Sequence, residues 1–370
     1  MDYTGKMVSR RALLAIPLAA ACTRPGASGF RGYAFVANQE GQAVAAVDLQ
    51  AMAVARHIPL DSAPSQVVAA QAWPSVYALT PATGSVHEIQ AGRLSFARKV
   101  AAAASALSMQ PAADEGALYV LASQPPSLVR VALEPLRVEW RIALPEEPVD
   151  FALALDGKAA AVSLRSGVRL VDLAARRLSD PLSAGDFGAV RFLAYSRTLI
   201  AANRSKRRLS FFDIASARLI VHLPLTVRPE NLCFNDDGGQ LFVTGDGMDA
   251  VVIVYPYHMP EVAQTVLAGR APGAMAASKA FLFIASPQSG GVSIMEIATT
   301  RVIAVVSVGS DPGFVAITPD DQYALVLNRS SGDVAVLRIG TITKTRYRTA
   351  ALLTVIPVGS RPVSAAVRAV

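Results

Sequence analysis

Residues 305–339 read VVSVGSDPGFVAITPDDQYALVLNRSSGDVAVLRI, and this stretch decides the fold. It contains an apolar run that ends in Val-Gly, a proline corner, and three further short runs, FVAIT, YALVLN and VAVLRI. These runs are rich in β-branched and aromatic residues and are bounded by Pro, Gly, Asp, Asn or Ser, which is typical of strands joined by tight turns. The stretch therefore predicts one small antiparallel sheet.

The same unit recurs along most of the chain. Copies of its YALVLN strand start at Tyr33, Val76, Ala117, Ala159, Thr198, Gln240, Phe281 and Tyr323. Successive starts are 39 to 43 residues apart. A period of this length with four strand-like runs per unit is typical of a β-propeller, in which each blade is a four-stranded antiparallel sheet. The eight copies predict an all-β protein with eight four-stranded blades.

Proline corners separate the units, as in HIPLDSAP (57–64), VHLPLTVRP (221–229) and TVIPVGSRP (354–362). Proline has no backbone N–H and a fixed φ, so it ends one sheet and turns the chain toward the next. The repeats begin with a second strand, YAFVAN, and end with a first, inner strand at 362–370. We expect this C-terminal strand to pair with the N-terminal blade, which closes the ring and leaves no open sheet edge. A polar insert after Ile339, GTITKTRYRT, is predicted to form a surface loop.

These repeats carry a family resemblance. YALVLN, FLFIAS and YAFVAN, followed by VAVLRI or VAAVDL and then by TVIPVGSRP or VAITPDD, resemble the YVTN-type β-propeller repeat of bacterial and archaeal surface and periplasmic proteins, a group related to lactonase-like propellers. The resemblance covers residues 33–370 and is strongest in units one, five, seven and eight. Such propellers usually have seven blades, so seven is kept as the alternative to eight. The resemblance specifies the fold and not the chemistry, because one fold carries many functions.

The N-terminus has the layout of an export signal. Lys6, Arg10 and Arg11 precede an apolar run at 12–21 that is too short to span a bilayer. The sequence around the two arginines, SRRALL, also resembles a twin-arginine signal. We therefore divide the chain into a signal peptide (1–21), a short linker (22–32) and a single propeller domain (33–370), and we predict a periplasmic or extracellular location.

Cys22 follows the small residues at which a signal peptidase would cut. It resembles the lipid-accepting cysteine of a bacterial lipoprotein, although Ala19 stands where that pattern prefers leucine. Two interpretations stay open, a membrane anchor through a lipid on Cys22 and a plain signal peptide. The second cysteine, Cys233, lies in an apolar run, so we expect a buried, inert thiol and no disulfide framework.

The composition narrows the range of functions. Hydrophobic residues make up 52% of the chain and charged residues 17%, with a mean hydropathy of +0.37, which excludes a disordered protein. The formal net charge of +7 is dispersed except at residues 203–208, NRSKRR. In an exported protein this block predicts a solvated loop, so no nucleic-acid partner is expected. A monomer is expected.

A candidate site lies where the proline corners meet the loops that join second and third strands, because alternating strand directions bring both to one end of the ring. The predicted ligand-binding residues at this channel mouth are Arg228, Glu230, Asp311, Arg361, Glu147, Asn203 and Asn328. Charged groups of both signs in one pocket could bind a small anionic ligand through bidentate arginines, and an envelope protein could dock there instead. The alternative is that these charges pair with one another across neighbouring blades.

Signals for catalysis are weak. His57, His87, His222 and His258 fall in four separate runs, and no two of them have the spacing of metal ligands. We predict no metal and no cofactor, and no catalytic residue can be named. The favoured function is a non-catalytic binding or interaction module. The alternatives are a lactonase-like hydrolase of sugar lactones, which the resemblance implies, and a cofactor-dependent oxidoreductase-type propeller.

Overall fold

The computed structural model describes residues 29–194, 197–342 and 351–369, which form eight four-stranded antiparallel sheets arranged as the blades of one β-propeller. The predicted all-β fold and its eight blades are confirmed, and the alternative count of seven is wrong. Units two and four, in which the repeat is weak, also form complete blades. The predicted signal peptide, Cys22 and residues 343–350 of the polar insert lie outside the described residues.

The strands follow the chain in order. Blades 1 to 4 contain β1 (Gly32–Asn38), β2 (Ala43–Asp48) and β3 (Ala53–Pro59); β4 (Gln66–Ala69), β5 (Ser75–Thr80), β6 (Ser85–Gln90) and β7 (Ser95–Ala101); β8 (Ser105–Pro111), β9 (Ala117–Gln124), β10 (Pro126–Leu133) and β11 (Leu136–Ala143); and β12 (Pro148–Leu153), β13 (Ala159–Leu164), β14 (Gly167–Asp172) and β15 (Arg177–Ala184). Blades 5 to 8 contain β16 (Phe187–Phe192), β17 (Thr198–Asn203), β18 (Arg208–Asp213) and β19 (Arg218–Pro224); β20 (Arg228–Phe234), β21 (Leu241–Asp246), β22 (Ala250–Tyr255) and β23 (Glu261–Leu267); β24 (Met275–Ala277), β25 (Phe281–Ser286), β26 (Gly291–Glu296) and β27 (Arg301–Ser307); and β28 (Pro312–Ile317), β29 (Tyr323–Asn328), β30 (Asp333–Arg338) and β31 (Leu352–Pro357). Strand β32 (Pro362–Ala369) returns to blade 1, and two single turns of helix occur, a 3-10 turn at Pro81–Thr83 and α1 at Ile339–Ile342.

Ring closure depends on β32. Within blades 2 to 8 the strands run in sequence order from the inner to the outer edge, whereas blade 1 has the order β32-β1-β2-β3. Ala366 of β32 lies opposite Phe35 of β1, and Ala365 lies opposite Val36. The predicted pairing of the C-terminal strand with the N-terminal blade is therefore confirmed.

The apolar core lies between the blades. On β1, Ala34 and Val36 pack toward blade 8 with residues such as Leu325, while Phe35 and Ala37 pack toward blade 2. Successive side chains of a strand point to opposite faces of its sheet. Both faces of a blade are thus buried, which explains why the second strands are continuous apolar runs without polar alternation.

Polar side chains join neighbouring blades. Between inner strands, the Gln66 side chain donates to Met109 O (2.9 Å) and accepts from Met109 N (2.8 Å), and Asp150 Oδ2 accepts from Arg191 Nη1 (2.8 Å). On the second strand of blade 6, Thr244 Oγ1 donates to Gly273 O (2.7 Å), just before the inner strand of blade 7. These bonds satisfy polar groups and add polar links between blades that the apolar cores already hold together.

Buried polar side chains at the end of the second strands hold the corners. Asn38 Nδ2 donates to Val358 O (2.5 Å) and Asn328 Nδ2 donates to Val308 O (3.0 Å). In blade 7 the equivalent residue is Ser286, whose hydroxyl donates to Ala268 O (3.0 Å). Each bond ties a blade to the end of the preceding outer strand. Within the described residues no helix is long and apolar enough to cross a membrane.

We predict that Asn328→Ala lowers the free energy of unfolding by about 1–3 kcal/mol, because it leaves the buried Val308 carbonyl without its donor. Asn328→Ser, which copies the residue of blade 7, should recover part of this loss. Urea unfolding followed by circular dichroism measures both. An Asn328→Ala protein with the wild-type midpoint would show that the corner is held by other contacts.

Candidate functional site

One end of the ring, which we call the corner face, carries the connection into each inner strand and the loop between the second and third strands of each blade. In three blades these two segments form an ion pair between residues 18 positions apart. The pairs are Glu147 with Arg165 (2.7 Å), Asp186 with Arg204 (2.5 Å) and Asp311 with Arg329 (2.6 Å). The charges on this face do pair, as the alternative interpretation expected, but these pairs form within a blade and not across neighbouring blades.

Two of these arginines are held closely against the backbone. Arg329 donates from both Nε (3.0 Å) and Nη2 (2.6 Å) to the carboxylate of Asp311, which is the bidentate geometry of a strong ion pair. A Cβ atom on Gly313 would lie 2.3 Å from Arg329 Nε, so only glycine leaves room for the guanidinium there. In blade 5, Gly188 has the same place beneath Arg204. Each arginine is therefore positioned by an acid and a glycine of its own blade.

Asp311 and Arg361 lie on the same cavity. Its volume is about 550 Å³, and it opens on the corner face where blade 8 meets blade 1. It is lined by Glu40, Asp311, Arg329, Ser330, Ser331, Gly332, Pro357, Gly359, Ser360 and Arg361. Arg361 Nη1 lies 3.5 Å from Glu40 Oε1, and about half of each side chain is exposed. This loose contact leaves the Arg361 guanidinium available to a ligand.

The backbone conformation at this corner is the same in several copies of the repeat. Asp311 and Arg361 occupy the same repeat position, in VGSDP and VGSRP, and both have left-handed backbone angles, with φ of 58° and 55°. Ala271 has the same position in blade 7, with φ of 49°. The repeat therefore sets the conformation of the corner, and the side chain that it carries differs between blades.

Arg228 and Glu230 lie together on blade 6, away from the Arg361 cavity. Arg228 Nε is 3.2 Å from Glu230 Oε1. Glu230 also lines a second cavity of about 520 Å³, together with Asp246, Asp249 and Gln288. Burial raises the pKa of Glu230, and the positive charge of Arg228 opposes this only in part.

The other residues predicted to bind a ligand, Asn203, Asn328 and Glu147, do not line the Arg361 cavity. Asn203 and Asn328 are buried, with exposed fractions of 1% and 0%. Asn203 Oδ1 accepts from Lys206 N (3.0 Å), and Asn328 Nδ2 donates within the fold as described above. Glu147, with Arg165, lies on blade 4. The structure thus brings Asp311 and Arg361 together, joins Arg228 to Glu230, and distributes the other residues around the rim.

Sequence reasoning did not select Arg329 and Glu40, although both line the Arg361 cavity. A usable signal was present, because opposite charges 18 residues apart recur at 147/165, 186/204 and 311/329. Over the described ranges, no three His, Cys, Asp or Glu side chains form a group that could hold a metal ion. All four histidines lie on third or outer strands or in the turn between them.

No protein-family model and no curated protein matches this chain. Solved structures do resemble it. A structure titled "Dihydro-heme d1 dehydrogenase NirN in complex with DHE" aligns over 89% of this chain and 74% of its own, with 12% identity and a TM-score of 0.73. Apo AztD from Citrobacter koseri aligns over 91% and 98%, with 13% identity and a TM-score of 0.69.

A third similar structure is the Kuenenia stuttgartiensis hydrazine synthase, which aligns over 74% of this chain and 95% of its own, with 18% identity and a TM-score of 0.59. The shared feature is the propeller fold. At these identities the likeness shows the fold alone, since one fold carries many functions.

We predict that Glu230→Gln raises the thermal midpoint at pH 7 by about 1–3 °C. A carboxyl whose pKa is raised in the folded protein binds its proton more tightly there than in the unfolded chain. Its contribution to stability is complete below about pH 4 and is lost as the pH rises through the raised pKa. The difference between variant and wild type should therefore disappear in acid.

Midpoints measured by calorimetry from pH 4 to pH 8 test this, with Glu147→Gln as the control on an exposed carboxylate paired to an arginine. A Glu230→Gln protein that is less stable than wild type at pH 7 would mean that the Arg228 pair outweighs the cost of burial.

Proposed function

We propose that this chain is an exported cell-envelope propeller that binds a small anionic ligand in the Arg361 cavity of the corner face. The observation that carries the proposal is the combination of one loosely paired guanidinium, at 3.5 Å from its acid, with a cavity of about 550 Å³. A non-catalytic binding role is the function that this geometry supports best.

The two arginines of the cavity differ in how they are paired. Arg329 donates two hydrogen bonds to the carboxylate of Asp311, so this pair adds little net positive charge to the cavity. Arg361 can leave Glu40 at small cost, because exposed ion pairs contribute only about 0–1 kcal/mol. A carboxylate or phosphate could then take both donors of its guanidinium fork. The hydroxyls of Ser330, Ser331 and Ser360 offer further donors at the cavity wall.

Export and family assignment belong to the same proposal. The basic and apolar segments of residues 1–21 support export to the periplasm or the cell exterior. The repeats support membership of the YVTN-type propellers. Attachment to the membrane through a lipid on Cys22 is proposed as an optional anchor, with a monomeric propeller on the outside and no nucleic-acid partner.

Labelling cells with radioactive palmitate tests the anchor. We expect label on the wild-type chain and none on Cys22→Ala, because the thioether-linked lipid requires that sulfur. Equal labelling of both proteins, or of neither, would overturn lipidation at Cys22 and leave a plain signal peptide.

A cofactor-dependent oxidoreductase is the second candidate. It is favoured by the structural similarity to the dihydro-heme d1 dehydrogenase NirN, whose structure was solved in complex with DHE. The absorption spectrum of the chain purified from its own cells tests it directly. A visible band that co-purifies with the chain at constant ratio would favour this function over the anion-binding module.

We predict that at least one of phosphate, citrate and glucose 6-phosphate raises the thermal midpoint of wild type. A ligand at a hundred times its Kd stabilises by about 2.7 kcal/mol. Arg361→Ala should weaken binding at least about tenfold, the loss of roughly one charge-assisted hydrogen bond, and should leave the midpoint without ligand unchanged. Isothermal titration calorimetry measures the affinity.

Arg165→Ala is the matched control, since it removes an exposed arginine paired to Glu147 on a distant blade. Absence of a shift with all three anions, or a shift that survives Arg361→Ala, would reject the anionic-ligand proposal. Adding gluconolactone to the same proteins separates the lactonase-like alternative, because turnover abolished by a single carboxylate substitution would establish a hydrolase.

A further inference from the structure

A third, chemically different cavity lies at the opposite end of the ring, on the turns of blades 2 and 3. It is a groove of about 870 Å³ whose lining includes Trp73, Glu88, Gln90, Arg93, Phe96 and Arg98. Trp73 lies in the hairpin between β4 and β5, and Arg93 lies in the turn between β6 and β7. The groove is therefore separate from the corner face and from the Arg361 cavity.

The large apolar side chains of the groove are aromatic. Phe96, on the outer strand β7, is 45% exposed. Trp73 is half-buried and its indole Nε1 donates to Glu115 O (2.8 Å), which fixes the ring at the groove wall. Among the described residues that line the groove there is no leucine, isoleucine, valine or methionine. Pro74 and Ala97 add only small aliphatic surfaces, so the aromatic rings are the main apolar groups that a ligand would meet, and they suit a flat ring face.

Apart from Arg93, the charged side chains of the groove are held in place by hydrogen bonds, and the charges of the groove sum to zero. The Glu88 carboxylate is 8% exposed; it accepts from Ser75 Oγ (2.8 Å) and Arg98 Nε (2.5 Å). Arg98 also donates to Glu134 (2.9 Å) and to Leu133 O (3.0 Å), which links blade 2 to blade 3. With Arg93 the groove contains two cations and two anions. This balance favours a neutral ligand.

Two planar polar groups remain free to act on such a ligand. In the part of the chain that the structure describes, the exposed guanidinium of Arg93 and the side-chain amide of Gln90 make no side-chain hydrogen bond. Both can give paired hydrogen bonds to adjacent hydroxyls, as the Glu88 carboxylate can with its remaining lone pairs. Phe96 is exposed, and Trp73 is half-buried beside the groove, where it also packs against the core between blades 2 and 3. Aromatic side chains beside planar polar groups suit a pyranose ring, which is apolar on its C–H faces and polar at its rim.

The lining at this end of the ring differs between blades. The cavity at the same end of blades 4 and 5, of about 480 Å³, is lined by Leu155, Leu193 and Ile214 together with Phe192, Asp156 and Arg197. Both cavities contain aromatic and charged residues, but the leucine and isoleucine side chains of the second are absent from the first. We propose that the groove of blades 2 and 3 binds a neutral oligosaccharide, with Phe96 and Trp73 against the sugar faces and Gln90, Arg93 and Glu88 on the hydroxyls.

Intrinsic fluorescence tests this proposal, because the chain has only two tryptophans and Trp140 does not line the groove. In a full-length Trp140→Phe protein the signal comes from Trp73 alone. We expect a saturable fluorescence change with at least one of cellotriose, maltotriose and tri-N-acetylchitotriose. Phe96→Ala in the same background should weaken binding about tenfold, in line with the loss of one stacked ring.

Arg93→Ala is the second variant; it removes an exposed side chain without a partner, so it should fold normally and still weaken binding severalfold. Leu219→Ala, on the outer strand of blade 5 and 44% exposed, is the matched control and should bind as the parent does. Arg361→Ala should also leave saccharide binding intact, which separates this site from the proposed anion site. No saturable change with any trisaccharide, an unchanged affinity in both Phe96→Ala and Arg93→Ala, or an equal response to sodium sulfate would overturn the proposal.

Discussion

Burial of both faces of every blade is the constraint on which the rest of the structure depends. A sheet such as blade 1, with Val36 on one face and Phe35 on the other, exposes a large apolar surface unless a neighbour covers each side. A row of such sheets would still leave its two terminal blades uncovered. The ring removes these ends, and β32 completes blade 1 from the far end of the chain. Stability is therefore a property of the closed ring and not of a single repeat.

The closed ring makes the backbone of each blade alike and leaves the loops free to differ. The corner position has the same left-handed conformation with aspartate in blade 8, arginine in blade 1 and alanine in blade 7. Asp311 is committed to Arg329, whereas Arg361 has only a loose contact with Glu40. A residue of opposite charge at one repeat position thus replaces a close ion pair by a guanidinium that is only loosely paired and half exposed. The propeller fold fixes where the corner residue lies, and the residue type at that position decides which charge it carries.

The two ends of the ring also differ in chemistry. The corner face offers charged cavities whose arginines and carboxylates come both from the connections into inner strands and from the loops between second and third strands. The opposite end offers, between blades 2 and 3, an aromatic groove with balanced charge, and between blades 4 and 5 a cavity in which Leu155, Leu193 and Ile214 lie beside Phe192, Asp156 and Arg197. Neither end repeats its surface around the ring, so the eightfold architecture does not imply eight equivalent sites.

The sequence by itself determined the blade count, the order of strands and the closure, because each depends on a local pattern. Apolar runs such as YALVLN, proline corners and a period near 42 residues are all visible in one dimension, and a chain that starts with a second strand must find its first strand elsewhere. Arg361 and Asp311 could also be selected, since corners of the repeat lie on one face.

What only the tertiary structure decided is which charged residues meet. Glu40 and Arg361 are 321 positions apart and come together only when β32 closes the ring. Phe96 and Trp73 likewise look like ordinary core residues in the sequence, and only the structure shows that they line one groove. Contacts between distant segments leave no pattern in the local sequence, because the residues that form them meet only after the blades have packed into the ring.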